Sequence, residues 1–249
     1  MNQFMVVIGE ILVEIMADTT GDGFQEPLAL SGPYPSGAPA IFIDQAARMG
    51  MPCGIVSSVG NDDFGRLNIN RLREDGVDIS AINIDPDLPT GTAFVRYRPD
   101  GNRDFVFNLR HAACGQTPSG DAVDNMLAAA THLHIMGSSL SSPALTKLNL
   151  QAANAIKSRG GTVSFDPNIR PEILADTDAT ALMKKILALT DLYLPSGEEL
   201  WLLTNADNAD SAISELLDTG GIRRELRADL VAAATVVGGL TADSAAATG

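Results

Sequence analysis

Five short segments concentrate the residue types that bind ligands and move protons: Gly9-Glu10, Gly60-Asn61-Asp62-Asp63, Gly137-Ser138-Ser139, Asp166-Pro167-Asn168-Ile169-Arg170 and Pro195-Ser196-Gly197-Glu198-Glu199. Their carboxylates can accept a hydroxyl proton or hold a hard cation. Their small residues bring backbone N–H groups within reach of an anion, and Arg170 can neutralise phosphate charge. Each segment alone has a plainer reading, because strand-to-helix turns favour Gly, Ser and Asp as turn formers and caps. All five, however, follow a short apolar run. In an open parallel sheet ligands sit at the carboxyl ends of the strands, so together the segments point to one polar cleft.

The elements that must position them follow from hydrophobic pattern. Phe4–Ile8 is a continuous apolar run ending at Gly9, as in a strand covered on both faces. Pro39–Met49 has helical periodicity and stops at Gly50; Gly54–Val59 is the next strand, and a helix follows from about Asp63 to Glu74. His132–Met136, Thr162–Asp166 and Asp191–Leu194 read as further strands. Ser142 caps a helix with Pro143 in its first turn, and another helix spans Thr177–Leu189. Between these lies a hairpin, with Thr92–Arg98 and Asp104–Asn108 joined by the turn Pro99-Asp100-Gly101-Asn102. Its alternation puts Arg96 and Arg98 on one face. A second strand-and-turn insert, rich in Gly, Asp and Thr, lies at Ile11–Ser31. The expectation is an α/β three-layer sandwich on a mostly parallel sheet over residues 1–220, with a small β-sheet lid from inserts at about 11–35 and 81–111.

Composition narrows the partners. Of 249 residues 45% are hydrophobic and 19% charged, ordinary for a globular chain, and the formal net charge is −14. That charge argues against nucleic acid or an anionic membrane surface, which need clustered Lys and Arg. Cys53 and Cys114 form no disulfide framework and no metal-ligand spacing with His, so they read as reduced thiols. Glu10 and Glu14 interrupt Met1–Ile15, which lacks a basic start and reads as a strand rather than a leader. No window is long enough to span a membrane, and a cytoplasmic location is expected.

Several motifs now carry a resemblance. Ser36-Gly37-Ala38-Pro39-Ala40, before an apolar helix ending at Met49-Gly50, resembles the Gly-Gly-Ala-Pro-Ala-Asn segment of the ribokinase-like (phosphofructokinase B-type) carbohydrate kinases. Val59–Gly65 is similar to that family's first signature. Leu133–Ser138, Ser164–Arg170 and Leu194–Glu199 follow in the family's order, the last at its Asn-x-x-Glu motif. Gly9–Glu14 with Phe105–Asn108 looks closest to ketose and keto-sugar-acid kinases, tagatose kinases among them. The resemblance implies transfer of the ATP γ-phosphate to a sugar hydroxyl with Mg²⁺, and a homodimer through the lid. Residue by residue, it implies sugar contacts at Glu14, where the family usually has Asp, and at Gly37, Ala38, Arg98, Asn108 and Asp166. It implies a nucleotide-phosphate side at Asn168, Arg170, Ser196 and Glu199, with Glu199 acting on the metal through water. Ile41 stands where the family has a sugar-binding Asn. His111, His132 and His134 carry no expected role. A dinucleotide-dependent oxidoreductase is disfavoured, because Gly9-Glu10 opens no Gly-x-Gly-x-x-Gly loop.

The pattern breaks near the end. The family takes both its base and its anion hole from a Gly-Ala-Gly-Asp loop at a helix N-terminus, and no such quartet occurs in this sequence. Asp218-Thr219-Gly220-Gly221 echoes it but follows a helix. The expectation is that the catalytic segment is missing, residues 221–249 being an unassigned tail, out of frame or joined after a loss. The chain is then either an impaired kinase or a sugar-binding remnant without turnover.

Overall fold

An eight-residue strand buried along its whole length, Cys53–Gly60, stands near the middle of the architecture. The computed structural model describes residues 3–116, 118–168, 179–200, 204 and 206–218. In chain order the strands are β1 (Met5–Ile8), β2 (Leu12–Ala17), β3 (Leu30–Ser36), β4 (Cys53–Gly60), β5 (Ile82–Asp85), β6 (Gly91–Tyr97), β7 (Arg103–Asn108), β8 (His132–Met136), β9 (Thr162–Asp166) and β10 (Leu192–Tyr193). The helices are α1 (Ala38–Arg48), α2 (Asp63–Glu74), α3 (Asp121–Ala129), α4 (Pro143–Ser158), α5 (Ala179–Leu187) and α6 (Ala209–Asp218).

Six strands form one sheet in the order β10-β9-β8-β1-β4-β5, every pairing parallel. Alternate residues of these strands feed two cores. Val6, Ile8, Val56, Leu133, Ile135, Val163 and Phe165 pack with side chains of α3, α4, α5 and α6. Val7, Ile55, Cys53 and Val59 pack on the other face with Ala40 and Ile43 of α1 and Ile69 and Leu72 of α2. The result is the expected three-layer sandwich. Local signals hold where they are strong: the Ser142 hydroxyl accepts the Leu145 amide at 3.2 Å, and Pro143 opens α4.

The other four strands form a separate sheet, β3-β2-β6-β7, standing off the main one. β2 pairs antiparallel with β3 and parallel with β6, and β6 pairs antiparallel with β7. The insert expected over 81–111 starts later than the sequence suggested, because β5 pairs with β4 in the parallel sheet. Four alternating residues look the same at either sheet's edge, and only the partner strand decides. Residues 219–249 lie outside the described residues, as do Ile169 and Arg170. Among the described residues no helix is long and apolar enough to cross a membrane.

Candidate active site

The floor of the cleft is where β1, β8, β9 and β10 end. β1 leaves the sheet through a tight passage: a Cβ on Gly9 would lie 2.5 Å from Pro39 Cγ and 2.9 Å from Ser139 Cβ. Glu10 follows, buried, with its Oε2 accepting the Ser139 hydroxyl at 3.3 Å. Gly37 opens α1 with φ 106°, and a Cβ there would meet the Glu10 carbonyl oxygen at 2.5 Å. The need for glycine at 37 is thus imposed by the protein's own backbone, which brings the start of α1 against the end of β1.

The roof is one face of the small sheet. Glu14 lies opposite Tyr34 and Ala93, and Ala93 opposite Phe107, so these four share a face. Glu14 Oε2 accepts the Ser36 hydroxyl at 2.9 Å, and Ser36 is the residue before Gly37. The Glu14 carboxylate is therefore tied to the residue that precedes Gly37 and the start of α1. The opposite face carries Thr92, Phe94 and Arg96. The loop after β2 covers it: Arg96 donates to the Gly23 carbonyl at 2.9 Å and Phe24 packs edge-on against Phe94 at 6.2 Å.

Two residues expected at the sugar, Arg98 and Asn108, fall on the face of Thr92, Phe94 and Arg96. Arg98 makes a two-pronged pair with Asp104, with Asp22 at 3.8 Å. Asn108 donates from Nδ2 to Thr92 Oγ1 at 3.1 Å. A hairpin's alternation says which residues share a face, but the loop at 18–29 decides which face is turned away from Glu14.

On the far side of the floor, Asp166 Oδ1 accepts the Asn168 amide at 3.0 Å, which holds Asn168 at φ 36°. At the end of β10, Glu199 Oε2 accepts both the Ser196 amide at 2.9 Å and its hydroxyl at 3.0 Å. Buried Tyr193 donates its phenol hydroxyl to the Glu199 backbone carbonyl at 3.4 Å, and its phenol is pushed up by burial first and then by the charges of Glu199 and Asp166. Carboxylate oxygen donors of this kind suit magnesium. Among the described residues no group of three or more His, Cys, Asp or Glu side chains could hold a metal alone. A cation here would depend on water and phosphate oxygens for the rest of its shell. Arg170 lies outside the described residues.

Asp62, expected only as one member of a polar strand-end segment, is the joint between helix and lid. It caps α2 by accepting the Gly65 amide at 2.8 Å, and it accepts the Thr90 amide at 2.8 Å and hydroxyl at 2.7 Å. Thr90 Oγ1 accepts the Gly60 amide in turn. Burial opposes the Asp62 charge, but the bonds from Thr90 and Gly65 outweigh it and hold the carboxyl below the usual carboxylate range. Glu10, flagged as a strand-end acid, was given no individual role by the sequence; its one signal is an acid directly after an apolar strand. His134 bonds Ser164 through Nδ1 at 2.7 Å and stacks on Phe42 at 3.6 Å. Burial pushes its imidazole down to about 3, so it is neutral.

The profile of the family described as "pfkB family carbohydrate kinase" matches residues 2–225. The chain belongs to this family. A fructokinase of Klebsiella pneumoniae is 33% identical over 217 residues, 87% of this chain and 67% of the relative. Among solved structures, the apo form of the E. coli protein provisionally named Ribokinase II is 48% identical. It superposes with a TM-score of 0.80 over 89% of this chain and 73% of its own. The same E. coli protein in complex with ATP and Mg²⁺ matches with a TM-score of 0.78 at 48% identity, over 88% of this chain and 70% of that one. This carbohydrate kinase thus carries a phosphotransferase's fold.

Proposed function

We propose that the chain binds a ketose or keto-sugar acid under the lid, and that its chemistry is transfer of the ATP γ-phosphate to a hydroxyl of that sugar with Mg²⁺. The observation that supports this reading is the Glu14–Ser36 bond, which ties a carboxylate of the small sheet to the residue before Gly37. Sugar hydroxyls donate to Glu14 and Asp166 and accept from backbone amides at the start of α1. Asn168, Ser196 and Arg170 form the phosphate side. Glu199, its carboxylate aimed by Ser196, holds magnesium through water, and magnesium when bound neutralises phosphate charge. The 48%-identical structure bound to ATP and Mg²⁺ supports this cofactor assignment. Two buried free thiols fit a reducing, cytoplasmic setting, and β7, with Val106 exposed at the lid edge, is where a second copy would pair.

Transfer by these 249 residues should be slow, because no Gly-Ala-Gly-Asp quartet supplies base and anion hole. Loss of general-base help costs ~10²–10⁴-fold relative to the ~1–100 s⁻¹ usual for kinases. The test is a coupled assay of ADP release with Mg²⁺, ATP and a panel of ketoses and keto-sugar acids. Slow, sugar-dependent ADP release is expected. ADP release indifferent to sugar contradicts the kinase reading. Turnover in the ordinary range contradicts the impairment and makes Asp166 the first carboxylate to replace.

A further inference from the structure

Four passages carry the chain between the small sheet and the main body: residues 9–11, Gly37, and residues 86–90 and 109–112. The first two meet where Gly37 abuts the Glu10 carbonyl. The last two are tied to each other, because the Ala113 amide donates to the Pro89 carbonyl at 2.8 Å. The third is also fastened to the main sheet, through Thr90. That side chain is buried; its Oγ1 donates to Asp62 Oδ1 at 2.7 Å and accepts the Gly60 amide, at the end of β4, at 2.9 Å. The Thr90 amide donates to the other Asp62 oxygen at 2.8 Å. Asp62 is itself fixed as the cap of α2 through the Gly65 amide. The packing around this pin is tight: a Cβ on Gly60 would lie 2.6 Å from the Thr90 nitrogen and 2.7 Å from Asp62 Oδ2.

β6 begins one residue beyond Thr90 and runs parallel to β2, with Gly91 opposite Leu12 and Ala93 opposite Glu14. Glu14 is thus held from two sides, by its own bond to Ser36 and by a neighbouring strand whose start is fastened to β4 and α2. We propose that Asp62 and Thr90 are positioning residues for the sugar, fixing where β6, and with it the Glu14 carboxylate, stands relative to Gly37. This rests on the kinase reading and adds to it two residues that act through Glu14. Hydrogen bonds to a carboxylate are stronger than neutral ones, which suits a joint that must hold one arrangement. Without them β6 samples several arrangements, and apparent affinity falls by the fraction of molecules still arranged to bind.

The test is calorimetric titration of the 249-residue chain with D-fructose, beside Thr90→Val, Thr90→Ser, Glu14→Ala and the double variant of Thr90→Val with Glu14→Ala, each checked by thermal melting. Thr90→Val keeps the shape and loses the hydroxyl. It should bind ~10-fold more weakly, as when about a tenth of the molecules remain arranged to bind. Thr90→Ser keeps both hydroxyl bonds and should bind as the parent does. Because the pin acts through Glu14, the double variant should bind no more weakly than Glu14→Ala alone, whereas a general loosening of the fold would make the two losses multiply. If Thr90→Val melts too low to titrate, Asp62→Asn, which keeps an acceptor for Gly65, reads the same joint and should also bind more weakly than the parent. Parent-like binding by folded Thr90→Val or Asp62→Asn, a serine variant as weak as the valine one, or multiplying losses in the double variant would overturn the positioning role and leave the kinase reading in place. No fructose binding by the parent would overturn both.

Discussion

Replacing Asp62 with alanine is expected to lower stability by about 2–4 kcal/mol, a large share of what a domain of this kind has to lose. The carboxylate caps α2 through the Gly65 amide, and losing such a cap costs about 0.5–2 kcal/mol. It also accepts the amide of buried Thr90, and leaving a buried donor unpaired costs a further ~1–3 kcal/mol. Asn at this position keeps an acceptor for Gly65 but turns an N–H₂ toward one of its donors, so Asp62→Asn should fall between parent and alanine. The pH dependence has a definite sign. Bonds that favour the charged form hold the folded carboxyl below its unfolded value of ~3.9. Its stabilisation is therefore fully present above that value and is lost as pH falls through the folded one. Urea unfolding of the parent and Asp62→Ala should differ by a constant amount above about pH 5 and converge in acid. Parallel curves down to pH 2 would show that the Asp62 charge stabilises nothing.

Gly37→Val is expected to be more damaging still, about 3–5 kcal/mol. At φ 106° a β-branched residue is strained, which costs about 1–3 kcal/mol. The added Cβ also lies 2.5 Å from the Glu10 carbonyl oxygen and 3.3 Å from Ile11 Cα, backbone atoms with no rotamer to escape into. Overpacking of this kind adds about 1–3 kcal/mol. Relief requires the start of α1 to move away from β1, which carries Ser36 off Glu14 and opens the roof of the cleft. Melting midpoint and ketose affinity should therefore fall together, and Gly37→Ala should show both effects in milder form. A Val variant that melts with the parent would show that the backbone tolerates a side chain here. Sugar binding lost at full stability would mean that position 37 touches the ligand directly.

Much of the fold was legible because it rests on local signals. Apolar runs of four or five residues ending in Gly or Asp marked β1, β8 and β9, and the Ser142-Pro143 pair marked the start of α4. The hairpin was legible from its alternation and its Pro-Asp-Gly-Asn turn. β5 and β10 were harder, being four and two residues long and defined by the strand beside them. The site was read less completely, for the same reason. Ser196 and Glu199 are three residues apart, so their bond is a local pattern. The bond of Arg96 to the Gly23 carbonyl spans 73 residues, and the Glu10–Ser139 contact spans 129. Asp62 looked like one more turn acid because its distinguishing partner, Thr90, lies 28 residues on.

The most direct test of the account is the titration of the 249-residue chain with a neutral ketose and, separately, with a non-hydrolysable ATP analogue. Asp166 ends β9, whose Val163 and Phe165 pack in a core, Glu10 follows β1, whose Val6, Val7 and Ile8 do the same, and Glu14 is held on the small sheet by its bond to Ser36. The account predicts saturable one-to-one ketose binding that does not require nucleotide and that weakens at least ~10-fold in Glu14→Ala, as expected when hydrogen bonds to a charged acceptor are lost. Tight binding of the ATP analogue with no heat from any ketose would contradict it.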